Sequence, residues 1–330
     1  MYNLKFCNIR TITHNSSVVN SGLKQGLIKE PCLTPNWVTG FSDAEGCFSV
    51  IISKVSALRW RIIVSFEINL HSKDIKILNQ IKDYFGVGSV TSRPARNLCV
   101  FRVTKPDDLI RVIIPHFIKY PLISHKYSDF VLWSKVVELM STKQHLTPIG
   151  FKTILSYCAS INTGLSHKVA VAYPNVVPAD RVGVNLPSNL HPEWVSGFVA
   201  GDGGFSIGIR KATGQIYFRF HIAQHSRDHQ LMQMFISFFD CGKLSIRTSN
   251  NRCDYYVQSF ENIFNLIIPH FDQYPLCNIK TLDFQSFKEA ASLYEVGGRN
   301  NTNKIQQIID SMNSKREFDS NLKQDASNPK

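Results

Sequence analysis

The sequence predicts an α+β fold: a pseudo-two-fold pair of αββαββα halves, each a four-stranded antiparallel sheet with its helices on one face. Three observations lead there. The chain repeats itself once, each copy carries runs that alternate apolar and polar residues, and helical patterns separate those runs.

The repeat comes first because it sets the boundaries. IIPHFIKYPL at 113–122 and IIPHFDQYPL at 267–276 agree at eight of ten positions, an offset of 154 (113 to 267). The same offset pairs Phe66 with Phe220, His71-Ser72 with His225-Ser226, Asp74 with Asp228 and Gly88 with Gly242. Upstream, Trp37-Val-Thr-Gly-Phe41 matches Trp194-Val-Ser-Gly-Phe198 at an offset of 157 (37 to 194). The length difference therefore falls between about 53 and 60, where a hairpin tip tolerates it. The halves are read as 33–162 and 191–316. A Pro- and Gly-bearing linker over 163–190 joins them, with a leader over 1–32 and a tail over 317–330. Two copies in one chain imitate a symmetric dimer, so a monomer with internal pseudo-symmetry is expected.

Each half opens with a short helix ended by glycine, at Val38–Gly46 and Val195–Gly203, which reads as a left-handed C-cap. The longest strand follows after one hairpin. Trp60, Ile62, Val64, Phe66, Ile68 and Leu70 form its apolar face, with Arg61, Ser65, Glu67 and Asn69 opposite. In the second half Ile216, Phe218, Phe220 and Ile222 alternate with Gln215, Tyr217, Arg219 and His221. Flanking strands are expected at about 47–53, 88–93 and 98–104, and at 204–210, 242–247 and 252–259. Helices fit 72–85, 106–117 and 127–141 by apolar spacing.

Composition narrows the partner. A net charge of +12 favours a polyanion, nucleic acid ahead of a membrane surface, and 43% hydrophobic residues supply real cores. No apolar run reaches the ~18 residues of a membrane span. The eight cysteines include no C-x-x-C pair, which points away from zinc and toward reduced packing residues. The leader is rich in Asn, Ser and Thr with Glu30 as its one acid. It reads either as a transit peptide, hence a mitochondrial protein, or as a disordered leader.

With helices on one face, each sheet leaves the other face wet. The first presents Ser49, Ser53, Arg59, Arg61, Ser65, Glu67, Asn69, Ser89, Thr91, Arg93, Arg102 and Thr104. The second presents Ser206, Arg210, Gln215, Tyr217, Arg219, His221, Lys243, Ser245, Arg247, Arg252, Asp254, Tyr256 and Gln258. Such side chains read base edges and hold phosphates. A ten-residue strand is roughly 33 Å long, close to one turn of double-stranded DNA at about 34–36 Å. The pair of sheets would then follow about 20 base pairs.

The chemistry is expected at the ends of the two motif helices, Glu45 and Asp202. A carboxylate there faces the negative end of the helix dipole, and two carboxylates brought together raise each other's pKa. A divalent cation offsets both penalties, and Mg²⁺ suits carboxylates, the carbonyls of Ala44 and Gly201, waters and phosphate oxygens. Thr39-Gly40 and Ser196-Gly197 are small enough for the two helices to meet closely.

These motifs resemble those of the LAGLIDADG homing endonucleases in their single-chain, two-motif form. The repeated Tyr-Pro-Leu, the strand-end Lys73-Asp74 and Arg227-Asp228 and the linker position are similar to fungal mitochondrial, intron-encoded members. The resemblance covers about 33–318. It implies homing-endonuclease-like halves forming a saddle on DNA, metal bound by Glu45 and Asp202, and hydrolysis of both strands across the minor groove with short 3′ overhangs. Ca²⁺ or Mn²⁺ would substitute for Mg²⁺ in binding. Arg93, Arg247 and Gln224 are candidates for supporting the scissile phosphates. Ala200 departs from the pattern where the first copy has Asp43, with little effect expected on cleavage. Two alternatives stand beside the nuclease: an RNA maturase that assists intron splicing, and a DNA-binding relative that has lost catalysis. The survival of both acids argues against the latter.

Overall fold

The structure is a computed structural model that describes residues 33–56 and 59–316; the leader and tail lie outside the described residues. Helix α1 (Pro35–Glu45) runs directly into β1 (Gly46–Lys54), which pairs with β2 (Trp60–His71). Then follow α2 (Ile75–Phe85), β3 (Ser89–Arg93), β4 (Leu98–Val103), a helical run α3 over 106–119, α4 (Lys126–Ser141) and α5 (Pro148–Ser160). The connector carries a short helix, α6 (His167–Ala172). The second half repeats the plan with α7 (Pro192–Asp202), β5 (Gly203–Ile209), β6 (Ile216–His225), α8 (His229–Phe239), β7 (Lys243–Arg247), β8 (Arg252–Val257), α9 over 260–273, α10 (Lys280–Gly297) and α11 (Thr302–Asp310). Both sheets are antiparallel, in the orders β1-β2-β4-β3 and β5-β6-β8-β7.

The alternation sorts as predicted in β6, but in β2 the run 64–68 is buried on both faces: Ser65 and Glu67, expected to be wet, are covered, with Glu67 tied to Ser65 and Arg102. Val64, Phe66 and Ile68, like Phe218, Phe220 and Ile222, are buried under the helices. Phe48 stacks on Phe66 at 5.2 Å and Phe205 lies 5.4 Å from Phe220, so the two cores share one aromatic plan. Phe117 and Phe271 cap these pairs edge-on from α3 and α9.

The most strongly repeated segment explains itself here. Thr39 Oγ1 donates to Tyr120 O and accepts from His116 Nε2, both at 3.1 Å. Ser196 Oγ donates to Tyr274 O at 2.7 Å and meets His270 Nε2 at 3.4 Å. The Pro-His-Phe…Tyr-Pro run is thus the dock for the motif helix of its own half.

Two further expectations are corrected. Neither motif helix ends in a left-handed cap. Gly46 (φ −70°, ψ 149°) and Gly203 (φ −91°, ψ 168°) are extended, because each is the first residue of a strand. Glycine is required there for space: a Cβ on Gly46 would lie 2.6 Å from Ser42 O, and one on Gly203 2.5 Å from the Val199 side chain. The linker is also more than a crossing. Ser156, Ser160 and Ser128 donate to its carbonyls at Val177, Ala179 and Val182, and its Arg181 binds Asp129 at 2.7 Å, so it is fastened to the first half.

Candidate active site

Helices α1 and α7 pack against each other along their length. A Cβ on Gly40 would stand 2.0 Å from Trp194 O, and one on Gly197 2.1 Å from Trp37 O. Glycine at both positions is what lets the two backbones touch. The helix ends converge in consequence. A Cβ on Gly201 would fall 2.3 Å from Ala44 Cβ and 3.4 Å from Glu45 Oε1. The terminal acids Glu45 and Asp202 therefore share one small volume.

Burial raises the pKa of both carboxyls. For Asp202 burial acts first and the Glu45 charge adds to it, lifting it to about 7. For Glu45 burial outweighs the opposing pull of Lys126 and Lys280. The lysines are displaced the other way, since burial disfavours their charge too: Lys126 is lowered and Lys280 falls to about 8. Lys126 Nζ donates to Ala44 O at 2.6 Å, and Lys280 Nζ to Gly201 O at 2.7 Å and Val199 O at 3.0 Å. The centre is thus two acids and two amines around the ends of two helices.

Gln224 Nε2 donates to Asp202 Oδ2. Its counterpart is the apolar Leu70, so among the described residues only the second acid receives a side-chain amide. Asp202, Gln224 and Arg252 line an open recess of about 500 Å³. Arg247 lies instead in a neighbouring recess with Arg219, Ser245, Asp254, Tyr256 and Gln258. Arg93, exposed at the matching strand end, faces no equivalent acid, because Val100 stands where the second half has Asp254.

The lysines escaped sequence reasoning, although the signal was present. Both lie four residues past the repeated Tyr-Pro-Leu, at the offset of 154 (126 to 280). Asp43 is likewise more than a helix-end residue. It is 1% exposed, and its carboxylate accepts from Ile123 N, Ser124 N, Ser124 Oγ and, across the pseudo-axis, Trp194 Nε1 at 2.9 Å. In the second half Ala200 removes the carboxylate, and Asn278 Nδ2 donates to Ala200 O at 2.9 Å in its stead. Ser124 and Asn278 are themselves matched positions, so the departure at Ala200 comes with its own replacement. Trp37 Nε1, the counterpart of Trp194 Nε1, has no hydrogen-bond partner among the described residues.

On the open sheet faces, strand register groups the residues read as DNA-facing. Ser49 opposes Ser65, Ser53 opposes Arg61, and Glu67 lies across from Arg102, itself across from Ser89. Arg61, Asn69, Ser53, Ser89, Thr91, Arg93 and Thr104 are exposed, and Arg59 lies in the hairpin tip. In the second half Ser206 opposes Arg219, His221 opposes Tyr256, and Tyr256 opposes Lys243. Arg210, Gln215, Tyr217, Lys243, Arg252 and Gln258 are exposed. The two acids on these faces are occupied by arginines. Glu67 binds Arg102 at 3.0 Å and takes a hydrogen bond from Ser65. Asp254 binds Arg247 Nε at 2.8 Å and Arg252 Nε at 2.9 Å. Burial opposes ionisation of Asp254, but the two guanidiniums prevail and hold its pKa below the usual value. Arg219 stacks on Tyr256 at 5.1 Å.

The donor set at the centre suits a hard cation: two carboxylates, the carbonyls of Ala44 and Gly201, and room for waters and phosphate oxygens. Each carbonyl already takes a lysine ammonium, which leaves one lone pair apiece.

Residues 38–137 and 195–291 match the LAGLIDADG endonuclease family. The Neurospora crassa protein named "Probable intron-encoded endonuclease 2" is 38% identical over 79% of this chain, and a second from that fungus, "Probable intron-encoded endonuclease 3", is 31% identical over 78%. The matches span 60% and 50% of those relatives' own lengths. Among solved structures, the LAGLIDADG homing endonuclease I-GzeII in complex with its DNA target superposes with a TM-score of 0.82 at 34% identity, covering 86% of this chain and all of that one. I-SmaMI bound to uncleaved DNA in the presence of calcium ions gives 0.81 at 34% identity, covering 85% of this chain and 99% of that one.

Proposed function

The chain belongs to the LAGLIDADG endonuclease family, and from that premise we propose that it is a site-specific, divalent-metal-dependent endonuclease that hydrolyses both strands of one long asymmetric DNA site. The observation that carries this reading is the convergence of Glu45, Asp202, Lys126 and Lys280 at the touching ends of α1 and α7. Carboxylates raised by burial, in a small volume at negative helix ends, favour a cation. Glu45 and Asp202, with the free lone pairs of Ala44 O and Gly201 O, would hold Mg²⁺. When bound, the ion polarises the scissile phosphate and lowers the pKa of an attacking water.

The chain's own residues do the rest. Gln224 orients Asp202. Lys126 and Lys280, held against the helix-end carbonyls, would carry positive charge to the phosphates from inside the protein. The sheets of 33–162 and 191–316 each take one half-site of the roughly 20 base pairs. Their faces differ, Glu67–Arg102 against His221–Tyr256 and Val100 against Asp254, so the site is not a palindrome. The DNA in the solved structures and the names of the relatives favour this reading over an RNA maturase. The fungal, intron-encoded relatives support a mitochondrial location and a target at the joined exons.

A plasmid bearing that intronless exon junction tests the proposal. Purified protein with Mg²⁺ should convert it to one linear product, and EDTA should stop the conversion. A plasmid that stays supercoiled with every divalent ion tried would refute it.

A further inference from the structure

The strand-end aspartates of the Lys-Asp and Arg-Asp repeats have no part in the centre described above, yet both are directed toward it. Asp228 closes the turn after β6 and is 7% exposed. Its Oδ1 accepts from the backbone N of His125 at 2.7 Å, with His125 Nδ1 at 3.6 Å. His125 belongs to the first half, is the N-cap of α4 and immediately precedes Lys126. The second half mirrors this. Asp74, after β2, has beside it the backbone N of Ile279, the N-cap of α10 and the residue before Lys280, although its Oδ1 is buried with no hydrogen-bond partner among the described residues. Neither N-cap residue bonds its helix through its own side chain. Helix α4 is therefore capped by a carboxylate from the opposite half, and α10 has one at its N-terminus.

We propose that Asp74 and Asp228 are positioning residues wired across the pseudo-axis: Asp228 fixes Lys126, and Asp74 fixes Lys280. Lysine as the first residue of a helix is poorly placed, because its charge faces the positive end of the dipole and free amides. A carboxylate on the preceding amide offsets that field and pins the first turn. The reach of Lys126 Nζ to Ala44 O and of Lys280 Nζ to Gly201 O depends on that turn. Ser124 Oγ and Asn278 Oδ1 hold the lysine amides from within each half, both at 3.2 Å, so the crossing aspartate is the second of two anchors. The consequence is a dependence between halves: a lesion at one sheet corner should be felt at the other half's lysine.

The lysines themselves give the test. The full chain and its Asp228→Ala, Asp228→Asn and Asp74→Ala variants would be pulsed with a dilute amine-acylating reagent, and labelling of Lys126 and Lys280 read by peptide mass spectrometry. Asp228→Ala should speed labelling of Lys126 by roughly tenfold, the scale of a lost charge-assisted hydrogen bond, and leave Lys280 in the same molecules near its original rate. Asp74→Ala should do the reverse. Asp228→Asn, whose side-chain oxygen still accepts from His125 N, should protect Lys126 as the unmodified chain does. Equal acceleration at both lysines, an uncrossed pattern, or no change would overturn the proposal. The inference rests on the endonuclease reading for its importance only. Failure of DNA cleavage would refute that reading, while the labelling pattern would still decide this one.

Discussion

Asp202 and Asp43 are both buried carboxylates on motif helices, and their surroundings give them opposite roles. Asp43 has four donors around it, one from the other helix. Removing it leaves several buried donors unpaired, so Asp43→Ala should destabilise the fold by about 3–5 kcal/mol in chemical denaturation. Asp202 has Gln224 and a like charge beside it, and its pKa of about 7 lies above the usual 3.8. Its raised folded-state value means that its ionisation weakens the fold progressively as pH climbs from 4 through 7. Without divalent metal, Asp202→Asn should be more stable than the unmodified chain at pH 8, on the order of 2–4 kcal/mol, and no different at pH 4. A pH-independent difference between their melting curves would contradict this. The acids were legible in the sequence because they recur at the ends of matched motifs. Lys126 and Lys280 recur just as faithfully but sit far along the chain, and only the packing of α4 and α10 brings them beneath the helix ends. A linear pattern shows that they recur, but not a contact across about 80 residues.

At the scale of elements, the strands follow from period-two alternation and the helices from apolar spacing, while the pairing orders β1-β2-β4-β3 and β5-β6-β8-β7 emerge only in the structure. What the sequence misplaced was the reason for its glycines. Gly46 and Gly203 were expected to supply a left-handed backbone. They supply room, because a helix that turns straight into a strand leaves no space for a Cβ. Gly40 and Gly197 do the same at the helix crossing. Gly40→Ala should therefore cost about 3 kcal/mol or more, a fall in melting temperature of roughly 6–12 °C for a chain of this size. Gly183→Ala, in the linker with nothing within 4 Å, should cost little and serves as the control. Equal effects would show that the crossing tolerates a methyl group.

Across the whole molecule, two similar frames hold dissimilar surfaces. The frames agree where helices dock and where the centre forms; they diverge on the open faces, where Glu67–Arg102 and Arg247–Asp254–Arg252 occupy different rows. Buried side chains are constrained by the fold and so reappear at the repeat offset, whereas wet ones answer to a partner. That is why the sequence disclosed the architecture and not the target. With a charge of +12 and arginines across both sheets, affinity should fall steeply with salt, the logarithm of the binding constant declining linearly with the logarithm of salt concentration. A flat response in a mobility-shift titration would exclude phosphate contacts as its source. The central claim is that Glu45 and Asp202 act together on DNA that the sheets bind. It is tested most directly by measuring binding and Mg²⁺-dependent cleavage of the same duplex by Glu45→Gln and Asp202→Asn. The account predicts binding within a few-fold of the unmodified chain and no double-strand product from either variant. Undiminished cleavage by either would contradict it.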